Sequence, residues 1–167
     1  SSGNHAQAVA EAANVFGLKS YLIMPKDSPK IKVEGVIKSG GEIHFFDRYK
    51  EDREIISKNL SKKLNGVVVP PYDHLKIIYG QGTIGIEAID QLKEKKIIPD
   101  IVLCCCGGGG LIAGISLILK NKWPKLNIHP IEPIGWNDTQ LSLAKGERVS
   151  LSNNTKNICD ALLAKTP

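Results

Sequence analysis

Short continuous apolar runs alternate along this chain with longer stretches of helical period. Ala6 to Phe16 is Ala-rich and unbroken, with Gly17 placed as its C-cap, and predicts a helix. Ser20-Tyr21-Leu22-Ile23-Met24 follows as a short strand stopped by Pro25. Ser28 and Pro29 suit an N-cap and a first helical residue, so a helix is expected through about Ser39. Gly40-Gly41 breaks it, and Glu42 to Phe46 is the next strand. Tyr49 to Leu64 is a charged helix, and Val67-Val68-Val69 is a third strand ended by Pro70-Pro71.

A boundary is expected between Pro70 and Gln81, and the pattern then resumes. Thr83 to Lys95 predicts a helix, with Ile84, Ala88 and Leu92 on one face at the i, i+4 spacing. Ile101 to Cys106 is a fully apolar strand, Leu111 to Lys122 a helix and Ile128 to Ile131 a further strand. Strand and helix in repeated alternation, with continuous apolar strands, predict an α/β fold whose parallel sheet is covered on both faces. The 167 residues suffice for one sizeable core, or two small layers around a cleft.

Composition narrows the function classes. With 42% hydrophobic and 23% charged residues this is an ordinary globular chain. No apolar run approaches the ~20 residues that cross a bilayer, so no membrane span is expected. Ser1 to Gln7 is polar and does not open like a secretory signal. The formal charge is +5, but the lysines are interleaved with acids, as in Lys50-Glu51-Asp52-Arg53-Glu54 and Lys93-Glu94-Lys95-Lys96. That is a solvated surface and not a nucleic-acid face. Cys104, Cys105 and Cys106 are neighbours and cannot pair with one another without strain, and with Cys159 they lack zinc-site spacing. In an apolar run they serve as small buried hydrophobes, which favours a reducing compartment and hence the cytoplasm.

Two segments carry chemistry. Gly107-Gly108-Gly109-Gly110-Leu111 lies between an apolar strand and a helix. Four glycines let backbone N–H groups converge unobstructed, and the helix start adds its own free N–H groups and positive dipole end, so a phosphate is the natural ligand. A flexible tight turn is the plainer alternative. Gly108, Gly110 and Ala113 also satisfy a dinucleotide fingerprint, with Glu132 at the end of the next strand, so a nucleotide stays open on this segment alone. The second segment, Ser1-Ser2-Gly3-Asn4-His5-Ala6-Gln7, opens into the first helix and suits either an anion such as a carboxylate or ordinary capping.

Taken in order, Ser-Ser-Gly-Asn-His-Ala-Gln, Met24-Pro25-Lys26-Asp27-Ser28-Pro29 with Lys32-Val33, Gly80-Gln81-Gly82-Thr83, the glycine loop, Glu132-Pro133 and Ile158-Cys159-Asp160-Ala161-Leu162 closely resemble the threonine dehydratase and serine racemase family. These are fold-type II pyridoxal-phosphate enzymes, related in fold to the tryptophan synthase β chain, with two subdomains around a cleft. The resemblance runs the whole chain. It implies that Gly107, Gly108, Gly109, Gly110 and Leu111 hold the cofactor phosphate and that Asn4 meets the 3′-oxygen of the pyridine ring. Ser1, Ser2, Gly3, Asn4 and His5 would then grip the substrate carboxylate, and Ser2 sits where racemases place a second-face acid. His5 is given loop architecture, not acid-base work. A bulky residue at Gly108 or Gly109 is expected to fill the space the phosphate needs.

The resemblance further implies a magnesium- or calcium-like ion held by Glu132, Asp138 and the main-chain carbonyl of Trp136, oxygen ligands that suit a hard cation. Loop acids that cap the next helix are the plainer account of the two carboxylates. The family's Schiff-base lysine, in a Ser-Phe-Lys-x-Arg-Gly-Ala stretch before the first loop, has no counterpart in these residues. The expectation is therefore a fragment truncated at both ends and inactive alone. Residues 1–70 would be the remainder of the small domain and 71–167 part of the large cofactor domain. For the whole protein the resemblance implies β-elimination from L-threonine or L-serine to a 2-oxo acid and ammonia. It leaves serine racemisation open and implies a homodimer or higher homo-oligomer. The alternative is a non-catalytic module that binds a phosphate ligand or nucleotide.

Overall fold

The computed structural model describes residues 3–152, 155 and 157–167. They gather into two compact units, one within residues 1–69 and one within 70–167.

In the first unit α1 (Asn4–Val15) leads to β1 (Tyr21–Pro25), α2 (Lys30–Lys38), β2 (Glu42–Phe46) and α3 (Arg53–Leu64). The two strands are parallel, with Tyr21 opposite Glu42 and Pro25 opposite Phe46. Ala6 and Ala10, one helical turn apart, keep α1 thin on its inner side, and they are buried with Leu22, Met24 and Val36. Asp52 sets the start of α3, its carboxylate accepting from Glu54 N at 2.7 Å and Ile55 N at 3.1 Å, so the helix begins there and not at Tyr49. The N-cap of α2 is Pro29 in an extended conformation, one position later than expected, and the buried Ser28 hydroxyl caps nothing.

Val67-Val68-Val69 does not form the expected strand. The run has β propensity but no strand pairs with it among the described residues, and Val67 is 92% exposed. Asn65 in the left-handed conformation ends α3 just before it.

The second unit contains α4 (Leu75–Glu94), β3 (Ile101–Cys105), α5 (Gly110–Lys122), β4 (Asn127–Ile131) and α6 (Asp138–Lys145). Helix α4 starts at Leu75 and not at Thr83, because His74 caps it with Nδ1 accepting from Lys76 N at 3.2 Å. The glycines in its middle, Gly82 and Gly85, are buried against Ile118 of α5. Strands β3 and β4 are parallel, with Cys105 opposite Ile131. The strands thus form two separate two-stranded sheets, not one covered sheet. Among the described residues Leu103 stays 63% exposed, and Cys105 is exposed where a buried thiol was expected. Strand alternation explains the difference, since Cys104 and Cys106 share the covered face and Cys105 points the other way. No helix among the described residues is long and apolar enough to cross a membrane.

Candidate functional site

The glycine loop leaves the end of β3 beside the end of β4. Cys106 N donates to Ile131 O at 2.9 Å, so Gly107 and Glu132 depart from neighbouring strand ends. Ligands of parallel sheets collect at such carboxyl ends. Gly109, at φ 82, turns the chain into α5, which has no side-chain cap and no acidic residue in its first turn. The first N–H groups of a 13-residue helix are thus offered to an external anion at its positive end.

The loop is not equally open along its length. A Cβ on Gly109 would meet nothing within 4 Å, and what glycine supplies there is the positive φ. A Cβ on Gly108 would fall into the ring of Tyr72, so the expectation that it would occupy phosphate space is corrected at that position. One on Gly110 would lie 2.9 Å from Tyr72 Cα, and one on Gly107 would lie 3.2 Å from Ala161 O.

Glu132 does what a helix-capping acid does: its two carboxylate oxygens accept from Thr139 N at 2.9 Å and Gln140 N at 2.8 Å. A carboxylate has about four acceptor positions, so these bonds leave it capacity for a cation. Asp138 is different. It is 1% exposed, and its Oδ2 has no hydrogen-bond partner. Burial pushes its carboxyl up to about 6, its own backbone N–H opposes the rise, and the Glu132 charge adds to it. The indole N–H of the buried Trp136 is also unsatisfied. Among the described residues no three His, Cys, Asp or Glu side chains gather into a metal-binding group. The two carboxylates of this loop lie close enough for the charge of Glu132 to act on Asp138.

The two loops touch. Cys106 Sγ lies 3.3 Å from Thr139 Oγ1. Burial pushes the Cys106 thiol up, the Thr139 contact lowers it, and the Glu132 and Asp138 charges raise it further. Burial likewise pushes the Cys104 thiol up to about 11, so both stay protonated near neutrality.

Of the first segment, Ser1 and Ser2 lie outside the described residues. Gly3 is the N-cap of α1, in extended backbone without a side-chain cap bond, and a Cβ there would meet the Lys32 stem at 2.7 Å. Asn4 is exposed in the first helical turn. His5 Nε2 is 3.2 Å from Val69 O, and since a carbonyl only accepts, Nε2 carries the proton. Burial holds the His5 pKa below its usual value, with the Val69 bond acting against it. Gly3, Asn4 and His5 belong to the first unit, whereas the glycine loop and the Glu132–Asp138 loop share the second.

Tyr72 against the glycine loop, His74 capping α4 and the Asp73–Arg148 ion pair carried no signal in the sequence. The pair spans 75 positions, at 2.9 and 3.2 Å.

Comparison with known proteins matches residues 1–167 to the family "Pyridoxal-phosphate dependent enzyme". The chain is 38% identical over 160 residues to serine racemase of Schizosaccharomyces pombe, covering 96% of this chain and 48% of that protein. It is 37% identical over 160 residues to L-threo-3-hydroxyaspartate ammonia-lyase of Saccharomyces cerevisiae, covering 96% and 48%. The solved processed form of threonine deaminase isoform 2 from Solanum lycopersicum superposes with a TM-score of 0.85 at 36% identity, covering 99% of this chain and 47% of that one. The chain therefore spans about half the length of the curated relatives quoted.

Proposed function

This chain belongs to the pyridoxal-phosphate dependent enzymes, and from that premise we propose that the whole protein deaminates a small β-hydroxy amino acid by β-elimination. L-threonine would give 2-oxobutanoate, L-serine would give pyruvate, and both would release ammonia. The observation that carries this is the Gly107–Gly110 turn into an uncapped helix start, which fits a phosphate monoester. Relatives named for serine and for L-threo-3-hydroxyaspartate support a short β-hydroxylated substrate.

The backbone of Gly107 to Gly110 with Leu111 would hold the cofactor phosphate, and the Asn4 amide would meet the ring oxygen. Pyridoxal phosphate, when bound, serves as electron sink for a carbon that gives up its α-proton. The chain's own residues bind and orient. The positive end of α5 offsets the phosphate charge. Ser1, Ser2, Gly3 and His5 would take the α-carboxylate, which selects an amino acid and leaves its side chain unspecified. His5, neutral and bonded to Val69 O, fixes the loop and has no proton to spare. Residues 1–70 and 71–167 would be parts of the small domain and the large cofactor domain, a division supported by two compact units that part between Val69 and Pro70. Glu132, Asp138 and the Trp136 carbonyl would hold magnesium or calcium, a fit supported by the buried, unpartnered Asp138 Oδ2.

The whole protein should take up added pyridoxal phosphate and keep a visible absorbance after desalting. No retained band would remove the premise that the loop serves this cofactor. Turnover is checked by ammonia and 2-oxo acid release from L-serine, L-threonine and D-serine, and no turnover of any of them would overturn the substrate class.

A second reading, serine racemisation, rests on Ser2 at the position of a second-face acid and on the name of the fission-yeast relative. The two enantiomers of serine present their α-protons to opposite faces, so Ser2→Ala should suppress attack on D-serine and spare much of L-serine elimination. Equal losses on both enantiomers would leave Ser2 as a carboxylate-loop residue only.

A further inference from the structure

We propose that Tyr72 is a positioning residue that walls the phosphate loop, and that the Asp73–Arg148 ion pair holds it in place. The proposal rests on the loop serving as the phosphate site, and it concerns why that loop keeps one shape.

A four-glycine loop is the most permissive backbone a chain can have. Ordering it around a ligand costs backbone entropy at every residue unless something has already ordered it. Here something has. The Cβ position of Gly108 is taken by the Tyr72 ring, at Cγ, Cδ1 and Cδ2. The Cβ position of Gly110 lies 3.0 Å from both Cβ and O of the same tyrosine. Gly109, between them, has open space on its Cβ side. Tyr72 thus packs on two of the four glycines and leaves the middle of the turn clear. A wall of this kind removes loop conformations before the ligand arrives, which is preorganisation.

Tyr72 is itself anchored. His74 N donates to Tyr72 O at 2.8 Å just before α4, and Asp73 receives both arms of Arg148 at 2.9 and 3.2 Å. Both partners of that pair are more than half exposed, so it contributes little to overall stability. A two-pronged guanidinium contact nevertheless fixes direction, and the direction it fixes is that of the residue beside Tyr72. The glycine at position 108 therefore makes room for an aromatic ring and not for the phosphate.

The test titrates pyridoxal phosphate into the cofactor-free whole protein, following cofactor absorbance and the rate of its loss on dilution. Tyr72→Phe should bind like wild type, because the ring and not the hydroxyl makes the contact. Tyr72→Ala should raise the dissociation constant about tenfold, and Arg148→Met by a smaller factor. Gly108→Ala should also weaken binding, and adding Tyr72→Ala to it should recover part of the loss, since the new methyl then has space. Should Tyr72→Ala fail to fold, Tyr72→Leu carries the same comparison. Unchanged binding in Tyr72→Ala, or a Gly108→Ala defect that removing the ring deepens, overturns the proposal alone. Wild-type protein that takes up no cofactor overturns the phosphate-loop reading and this proposal with it.

Discussion

Gly114→Val should destabilise residues 70–167 more than any single change in the glycine loop. A Cβ on Gly114 would run into Ile78 O, lie 2.7 Å from Gly82 N and lie 2.8 Å from the Gln81 Cβ. The first two obstacles are backbone atoms of α4, which cannot rotate away. Overpacking usually costs about 1–3 kcal/mol, and a clash with a helix backbone belongs at or beyond the upper end. For a protein of this size or larger, each kcal/mol lowers the melting temperature by roughly 2–4 °C. Gly114→Ala should fall between wild type and valine. The measurement is a thermal or urea melt of the whole protein, and a valine variant melting within a degree or two of wild type would show that the two helices are not packed this closely.

The same glycines show where a sequence misleads. The expected boundary between Pro70 and Gln81 and the helix start at Thr83 stop short of Gly80 and Gly82, and glycine does lower helix propensity and punctuate most local patterns. In the folded chain Gly82 and Gly85 sit on the face of α4 that meets α5, where the missing side chains are what permits contact. Small residues for close approach and small residues for a turn look alike until the partner helix is known. Elements decided locally were easier. The Glu42–Phe46 strand lies between a glycine pair and a charged stretch, and its bounds follow from that. Val67 to Val69 had the right residue types but no strand to pair with among the described residues, which no local pattern can supply.

The site divides along the same line. The glycine loop, the Ser-Gly-Asn-His segment and the acids of Glu132 to Asp138 are contiguous in sequence and were legible as motifs. The contacts that shape them join distant positions. Tyr72 reaches Gly108, Cys106 reaches Thr139, and Arg148 reaches across 75 positions to Asp73. Capping by Glu132 is the plainer account that two loop acids already offer, whereas the burial of Asp138 cannot be read from two acids six positions apart, and it sets the two carboxylates apart in their surroundings.

That separation makes a prediction in which the sign changes with conditions. Asp138→Asn should make the whole protein more stable in the presence of a chelator, and less stable than wild type when magnesium or calcium is added. Without a cation, wild type buries a carboxylate whose Oδ2 has no partner and whose neighbour Glu132 repels it. Near neutrality that group is still ionised despite its raised pKa, and a nearly isosteric amide removes the charge. The gain should be on the order of 1–2 kcal/mol, since the amide still needs hydrogen bonds of its own. With a cation the order inverts. A ligand bound only by the folded state adds RT ln(1 + [L]/Kd), about 2.7 kcal/mol at a hundredfold excess over Kd. Asparagine offers a neutral carbonyl in place of a charged oxygen, so most of that gain should vanish. Glu132→Gln should behave differently, because its carboxylate also caps α6 through Thr139 N and Gln140 N. It should lose stability with or without the ion, by roughly 0.5–2 kcal/mol for the weakened cap. Melting curves of the three proteins in chelator, magnesium and calcium decide the matter. Wild-type curves that neither ion moves would remove the cation from the account, and an Asp138→Asn variant that responds as fully as wild type would move it to other ligands.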